Sequence, residues 1–184
     1  MTENATKKKK SLLFIAFIGI LTVVFLRAYV FTNYEVEGES MMPTLQDGNF
    51  LLVNKLEARI GGLERFDIIV FKGQSDNYVK RIIGVPGDVL EYRDDTLYIN
   101  GVQMDEPFLK PYKQRLIGGN LTGDFTLVEI TGQQTVPNNA LFVLGDNRLG
   151  SWDSRHFGLV DLDQVVGKVS VRYWPAGQWV VDFY

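Results

Sequence analysis

Tyr78-Val79-Lys80-Arg81-Ile82-Ile83-Gly84-Val85-Pro86-Gly87-Asp88 decides the fold. Apolar and aromatic residues alternate around two adjacent cations, and a Pro-Gly-Asp turn closes the run. This is a strand that folds back, with no helical period. Alternation places Tyr78, Lys80 and Ile82 on one face and Val79, Arg81 and Ile83 on the other, so at least one cation points into apolar surroundings.

The same grammar runs outward in both directions. Upstream lie Asn49–Val53, behind the turn Asp47-Gly48, and Asp67–Phe71, rich in β-branched and aromatic residues. Arg59–Leu63 reads as a loop. Downstream, Val89–Tyr92 and Leu97–Ile99 precede Asn100-Gly101, a two-residue hairpin signal. Pro107–Thr122 reads as a surface excursion. Phe125–Ile130, Leu141–Leu144, Val165–Tyr173 and Gln178–Phe183 complete about ten short strands. The expectation is an all-β domain of short antiparallel strands over residues 32–184.

Ahead of it, Lys7 to Lys10 form a basic run, and the mainly apolar stretch from Ser11 to Phe31 carries no charge except Arg27. Spanning a bilayer takes about 20 residues, and an arginine near the helix end can snorkel to the headgroups. A cleavable signal peptide shares the basic start and apolar middle, but no A-x-A-like site follows and the run is long for one. The reading is a cytoplasmic basic segment over 1–10, a transmembrane anchor over 11–31 and an extracytoplasmic domain beyond. Trp174, Trp179, Phe183 and Tyr184 are either contacts with the membrane interface or ordinary residues of the terminal strands.

Composition narrows the chemistry. Of 184 residues, 46% are hydrophobic and 22% charged, as in a folded domain. Cysteine is absent and His156 is the single histidine, which excludes disulfides, thiolate chemistry and a multi-histidine zinc site. The first ten residues hold four lysines and one glutamate, leaving 15 basic and 21 acidic residues beyond them. An acidic domain carries no electrostatic footprint for nucleic acid.

Three features carry candidate chemistry. Gly38-Glu39-Ser40-Met41-Met42-Pro43-Thr44-Leu45 is a turn that places a hydroxyl shortly after the anchor. Lys80, if desolvated, loses preference for its charged form and becomes a usable general base; an inward lysine that guards an edge strand is the bland alternative. Gly145–Arg155 is either an Asx-rich structural loop or a support shell for a catalytic amine. A Ser-His-Asp triad through His156 is a further possibility.

Taken together, these segments resemble the bacterial type I signal peptidases, membrane-bound serine proteases that remove signal peptides from exported proteins. Ser40–Leu45, Asp67–Phe71, Tyr78–Asp88 and Gly145–Arg155 carry the likeness in the family's order, behind an anchor. The resemblance implies Ser40 as nucleophile and Lys80 as general base, with no metal or cofactor. It implies Ser151 as a hydrogen-bond partner of the lysine amine, and Asp146, Asp153, Arg155 and Arg81 as supporting residues. The backbone N–H of Ser40 is the implied oxyanion donor. Some members add a serine hydroxyl two residues earlier, where this chain has Gly38, as in the Gram-positive branch.

The implied substrates are preprotein signal peptides with small residues at the first and third positions before the cut. Val36, Met41, Leu45, Tyr78 and Val79 match the nearer pocket, and Tyr34, Leu51, Val70 and Val79 the farther one. The implied address is a bacterial cell membrane, with membrane lipid as a partner. Phe66 departs from the glycine that often precedes the aspartate of the second segment, and Leu149-Gly150 replaces more polar loop residues. Two rival readings stand beside this one: an anchored β-module that binds without catalysis, and a self-cleaving repressor-type Ser–Lys protease.

Overall fold

The computed structural model describes residues 2–73 and 76–183, and side chains from residue 12 onward. The side chains of Lys7 to Lys10 and all of Tyr184 lie outside the described residues. Helix α1 covers Thr2–Phe25 and continues through a wide turn, Leu26–Val30. Residues Leu12–Val30 are long and apolar enough to cross a membrane, and none packs inside the protein.

Strand β1 (Phe31–Glu35) follows directly and pairs with β2 (Phe50–Asn54). Next come α2 (Lys55–Ile60), β3 (Ile68–Lys72), β4 (Asn77–Gly84), β5 (Leu90–Arg93), β6 (Thr96–Ile99) and β7 (Val102–Met104). After short helical turns that include α3 (Lys110–Lys113) come β8 (Phe125–Thr126), α4 (Leu127–Thr131), β9 (Ala140–Leu144) and α5 (Ser154–Phe157). The chain then forms β10 (Val160–Asp161) and β11 (Val165–Trp174). Two antiparallel sheets result, one ordered β1-β2-β11-β3-β4-β9-β10 and the other β7-β6-β5-β8.

The all-β expectation holds, with four local corrections. The stretch Arg59–Leu63, read as a loop, begins inside α2, where Asn54 caps the Leu56 N–H at 2.9 Å and Gly61 ends the helix at φ +80°. Phe125–Ile130, read as one strand, turns helical after Thr126. There Thr126 and Glu129 form a reciprocal capping box, and Gly132 closes the helix at φ +73°. Gln178–Phe183 forms no strand: Val180 makes a single bridge to Arg172, and Phe183 tucks into the core. The Pro107–Thr122 excursion is also less superficial than expected, since Phe108, Leu109 and Leu121 are buried between the sheets.

Alternation along β4 sorts the core. Ile83 joins the cluster between the two sheets, with Leu90, Tyr92 and Phe142. Val79 joins a second cluster with Val36, Met41, Leu45 and Leu51, where the turn after β1 lies on the large sheet. Tyr78 and Ile82 face the other way, with Ile69, Phe71 and Val143. Burial on both faces accounts for a strand with six consecutive buried residues, from Val79 to Gly84.

Candidate active site

Chain reversal between β1 and β2 sets the first half of the site. Gly38 adopts φ +83° and donates its N–H to Asp47 Oδ1 at 2.7 Å. A left-handed backbone is the reason for glycine here. The segment then winds through Met42 N–H to Glu39 O and Leu45 N–H to Met41 O, with Met41 and Leu45 buried as its anchors. Ser40 rides on top of this turn. Among the described residues its own N–H has no acceptor, so it remains available to a developing oxyanion.

Strand β4 delivers the second half. Lys80 pairs with Ile69 and points to the face of Tyr78 and Ile82, as alternation requires. It is only 4% exposed, and its Nζ donates to Ser40 Oγ at 2.7 Å and to Val79 O at 3.0 Å. Burial strips water from the ammonium and lowers its pKa to about 8, against the opposing pull of Asp153 and Asp146. A lysine so placed is neutral in part near physiological pH and can accept the serine proton.

Arg81 takes the opposite face and is fully buried. Its Nε and Nη2 donate to the two oxygens of Asp146 at 2.9 and 2.7 Å, its Nη1 donates to Phe66 O at 2.8 Å, and its guanidinium lies 3.9 Å from the Phe108 ring centroid. Phe66 holds the unusual φ of +73°, the conformation for which a glycine at this position is suited.

The loop from Gly145 to Ser151 locks both halves together. Asp146 also accepts from Thr44 Oγ1, Asn147 N–H donates to Ser40 O at 3.0 Å, and Asn147 Nδ2 donates to Glu39 O at 3.2 Å. Asp153 is buried and accepts from Gly145 N–H and from Arg155 Nε and Nη2. Burial alone would raise its carboxyl. The hydrogen bonds and charge of Arg155, with the Gly145 N–H, outweigh this and hold it below the usual carboxylate range.

Ser151 is the one supporting residue whose contacts differ from expectation. Among the described residues its buried Oγ has no hydrogen-bond partner, so the anticipated bond to the lysine amine is not formed. The side chain packs instead in the space left by Gly145, close to the Ser40 carbonyl. His156 is set apart from the dyad: it stacks on Trp152 with ring centroids 4.4 Å apart, and its Nδ1 lies 3.9 Å from Asp153 Oδ1. No hydrogen bond joins it to Ser40 among the described residues, and no Ser-His-Asp triad is assembled.

A cleft of about 350 Å³ opens over the dyad. Tyr34, Val36, Met41, Tyr78 and Val79 line it as expected, whereas Leu45, Leu51 and Val70 lie behind its wall in the core. Along the cleft β4 is half free: β3 pairs with residues 77–81, but β9 pairs only from Arg81 onward. The carbonyls of Asn77 and Val79 face this open edge, where Tyr34 OH (2.6 Å) and Lys80 Nζ donate to them.

Several residues escape the sequence reading. Trp152, Gly150, Glu37 and Glu39 line the cleft. Arg148 is buried and joins Tyr92 OH, Thr122 Oγ1 and Glu106 to the Gly145 carbonyl, tying the loop to the small sheet. Ser154 Oγ accepts the Val143 N–H at 2.9 Å. The only signal for Arg148 is its place in the loop; its acidic partner, 42 residues away, carries none.

Residues 9–174 match the model of the family described as signal peptidase, peptidase S26. A signal peptidase I of Bacillus caldolyticus is 58% identical over 168 residues, which cover 91% of this chain and 92% of that one. Signal peptidase IB of Staphylococcus aureus strain MRSA252 is 43% identical over 183 residues, 96% of each chain. The crystal structure of a signal peptidase I from Enterococcus faecalis V583 is 49% identical and superposes with a TM-score of 0.56, covering 58% of this chain and 95% of that one.

Proposed function

We propose that this chain, which belongs to the signal peptidase family, peptidase S26, cleaves signal peptides from preproteins with Ser40 as nucleophile and Lys80 as general base. It is a serine endopeptidase by family. The observation that carries the residue assignment is the 2.7 Å bond from Lys80 Nζ to Ser40 Oγ inside a desolvated site.

Neutral Lys80 takes the Ser40 proton as Oγ attacks the scissile carbonyl, and the Ser40 N–H supports the oxyanion. The amine departs with the proton from Lys80, leaving an ester on Ser40 that a Lys80-activated water hydrolyses. Arg81, Asp146, Asp153 and Arg155 act as positioning residues: they hold the loop that fixes the Ser40 turn. Ser151, whose buried hydroxyl lies near the Ser40 carbonyl, supplies a further polar group beside the Ser40 turn.

The preprotein lies along the free edge of β4 as an added strand, with small side chains against Val36, Met41 and Val79. Residues 1–10 lie in the cytoplasm, 11–31 cross the cell membrane once, and 32–184 work outside it. β1 begins at Phe31, and the nine residues to Ser40 reach at most about 30 Å, which keeps the dyad near the membrane surface.

The test is hydrolysis of a preprotein by the purified full chain. Cleavage abolished in both Ser40→Ala and Lys80→Ala supports the dyad; full turnover by Lys80→Ala rejects it.

A further inference from the structure

Next to the cleft lies a second groove of about 240 Å³. Phe71, Tyr78, Trp152, Phe157 and Val160 line this groove, and Tyr78 and Trp152 belong to both cavities. The aromatic floor is built: Tyr78 stacks on Phe157 at 6.4 Å and 23°, and Phe71 meets Tyr78 edge-on at 5.9 Å. Trp152 is 63% exposed, yet its indole is braced against His156. Core packing does not account for a large apolar ring held in place while it faces solvent.

Proton bookkeeping decides which half of the substrate meets this wall. As the bond from Ser40 Oγ to the acyl carbon forms and the C–N bond breaks, the Ser40 proton passes through Lys80 Nζ to the departing nitrogen. The departing amine therefore lies on the Lys80 side of Ser40 Oγ. On β4, Lys80 shares its face with Tyr78, whose ring centroid is 5.7 Å from Nζ, while Val79 points oppositely toward Val36 and Met41. The acyl half meets Val36, Met41 and Val79, and the departing half is led past Tyr78, which lines both cavities, to Trp152.

We infer that Trp152 is a specificity-determining residue for the departing half of the substrate, an apolar wall that, with Tyr78 and Phe157, receives the side chains of the first residues after the cut. The occupant is that segment of the preprotein, because the groove adjoins the cleft over Ser40 and Lys80 across their shared residues Tyr78 and Trp152. This inference rests on the Ser40–Lys80 reading.

Two substrate series separate the two. In one, preproteins differ only in the first two residues after the cut, Leu-Phe against Gly-Gly; in the other, only in the residue before it, Ala against Val. Full-length wild type prefers the apolar pair after the cut by roughly tenfold in kcat/KM, the scale an apolar subsite supports. Trp152→Ala brings that ratio close to one, Trp152→Phe keeps most of it, and the Ala/Val ratio before the cut is the same in all three. An unchanged ratio after the cut in Trp152→Ala, or a shift in the ratio before it, overturns the inference. Failure of the dyad reading shows elsewhere, as cleavage that survives Ser40→Ala or Lys80→Ala.

Discussion

The Asn147 N–H donates to the Ser40 carbonyl at 3.0 Å, so the Ser40 turn hangs from the loop that also carries Asp146 and Ser151. Gly145 makes this approach possible. A Cβ there would run into Ser151 Oγ and the Ser40 carbonyl oxygen, and the carbonyl has nowhere to go. Gly145→Ala is expected to lower kcat by about 100-fold or more, the cost of misplacing a reacting group by about 1 Å. Steady-state kinetics beside a melting curve checks that folding survives.

Lys80 shapes stability as well as reactivity. Its pKa in the fold is about 8, below the ordinary 10.5, so between these values the unfolded chain binds the extra proton and stability rises with pH. Below about 8 the fold carries the full penalty of a buried ammonium. Lys80→Met is expected to be inactive and, at pH 6–7, more stable by roughly 2–3 kcal/mol. Denaturant titrations should show that margin shrinking as pH rises through 8 toward 10.5.

The Arg81–Asp146 pair is fully buried on both sides and doubly hydrogen-bonded. Asp146→Asn leaves the guanidinium uncompensated and also weakens the contact to Thr44. A loss of about 3–5 kcal/mol in unfolding free energy is expected, since one partner is removed from a buried ion pair. Urea titration measures it.

Tyr34 OH occupies the Asn77 carbonyl at 2.6 Å, on the free edge of β4 where an added strand would bond. Tyr34→Phe vacates that acceptor. The expected result is a lower KM for preproteins, by about two- to fivefold for one neutral hydrogen bond, at unchanged kcat. Initial-rate kinetics over a substrate series reads the split.

Much of this was legible in the sequence because strands declare themselves by alternation. The two faces of β4, the hairpin at Asn100-Gly101 and the buried strand Ala140–Leu144 all follow from local pattern. α4 was missed because Phe125-Thr126-Leu127-Val128 looks β-rich. The Thr126-x-x-Glu129 capping box and Gly132 were the contrary signal, and they prevailed. Motif order singles out Ser40, Lys80, Asp146 and Asp153, which the fold brings together, whereas Trp152 and the Arg148–Glu106 pair depend on tertiary approach that no local pattern encodes. Gly38, marked as the place of a missing oxyanion donor, has its own conformational reason at φ +83°.

The central claim is that a desolvated Lys80 activates Ser40, and the pH dependence of acylation tests it most directly. Single-turnover cleavage of a preprotein by the full chain should rise with pH along one limb with an apparent pKa of about 8, and should vanish in Lys80→Ala. A rate that stays flat from pH 5 to 9, or that persists in Lys80→Ala, would contradict it.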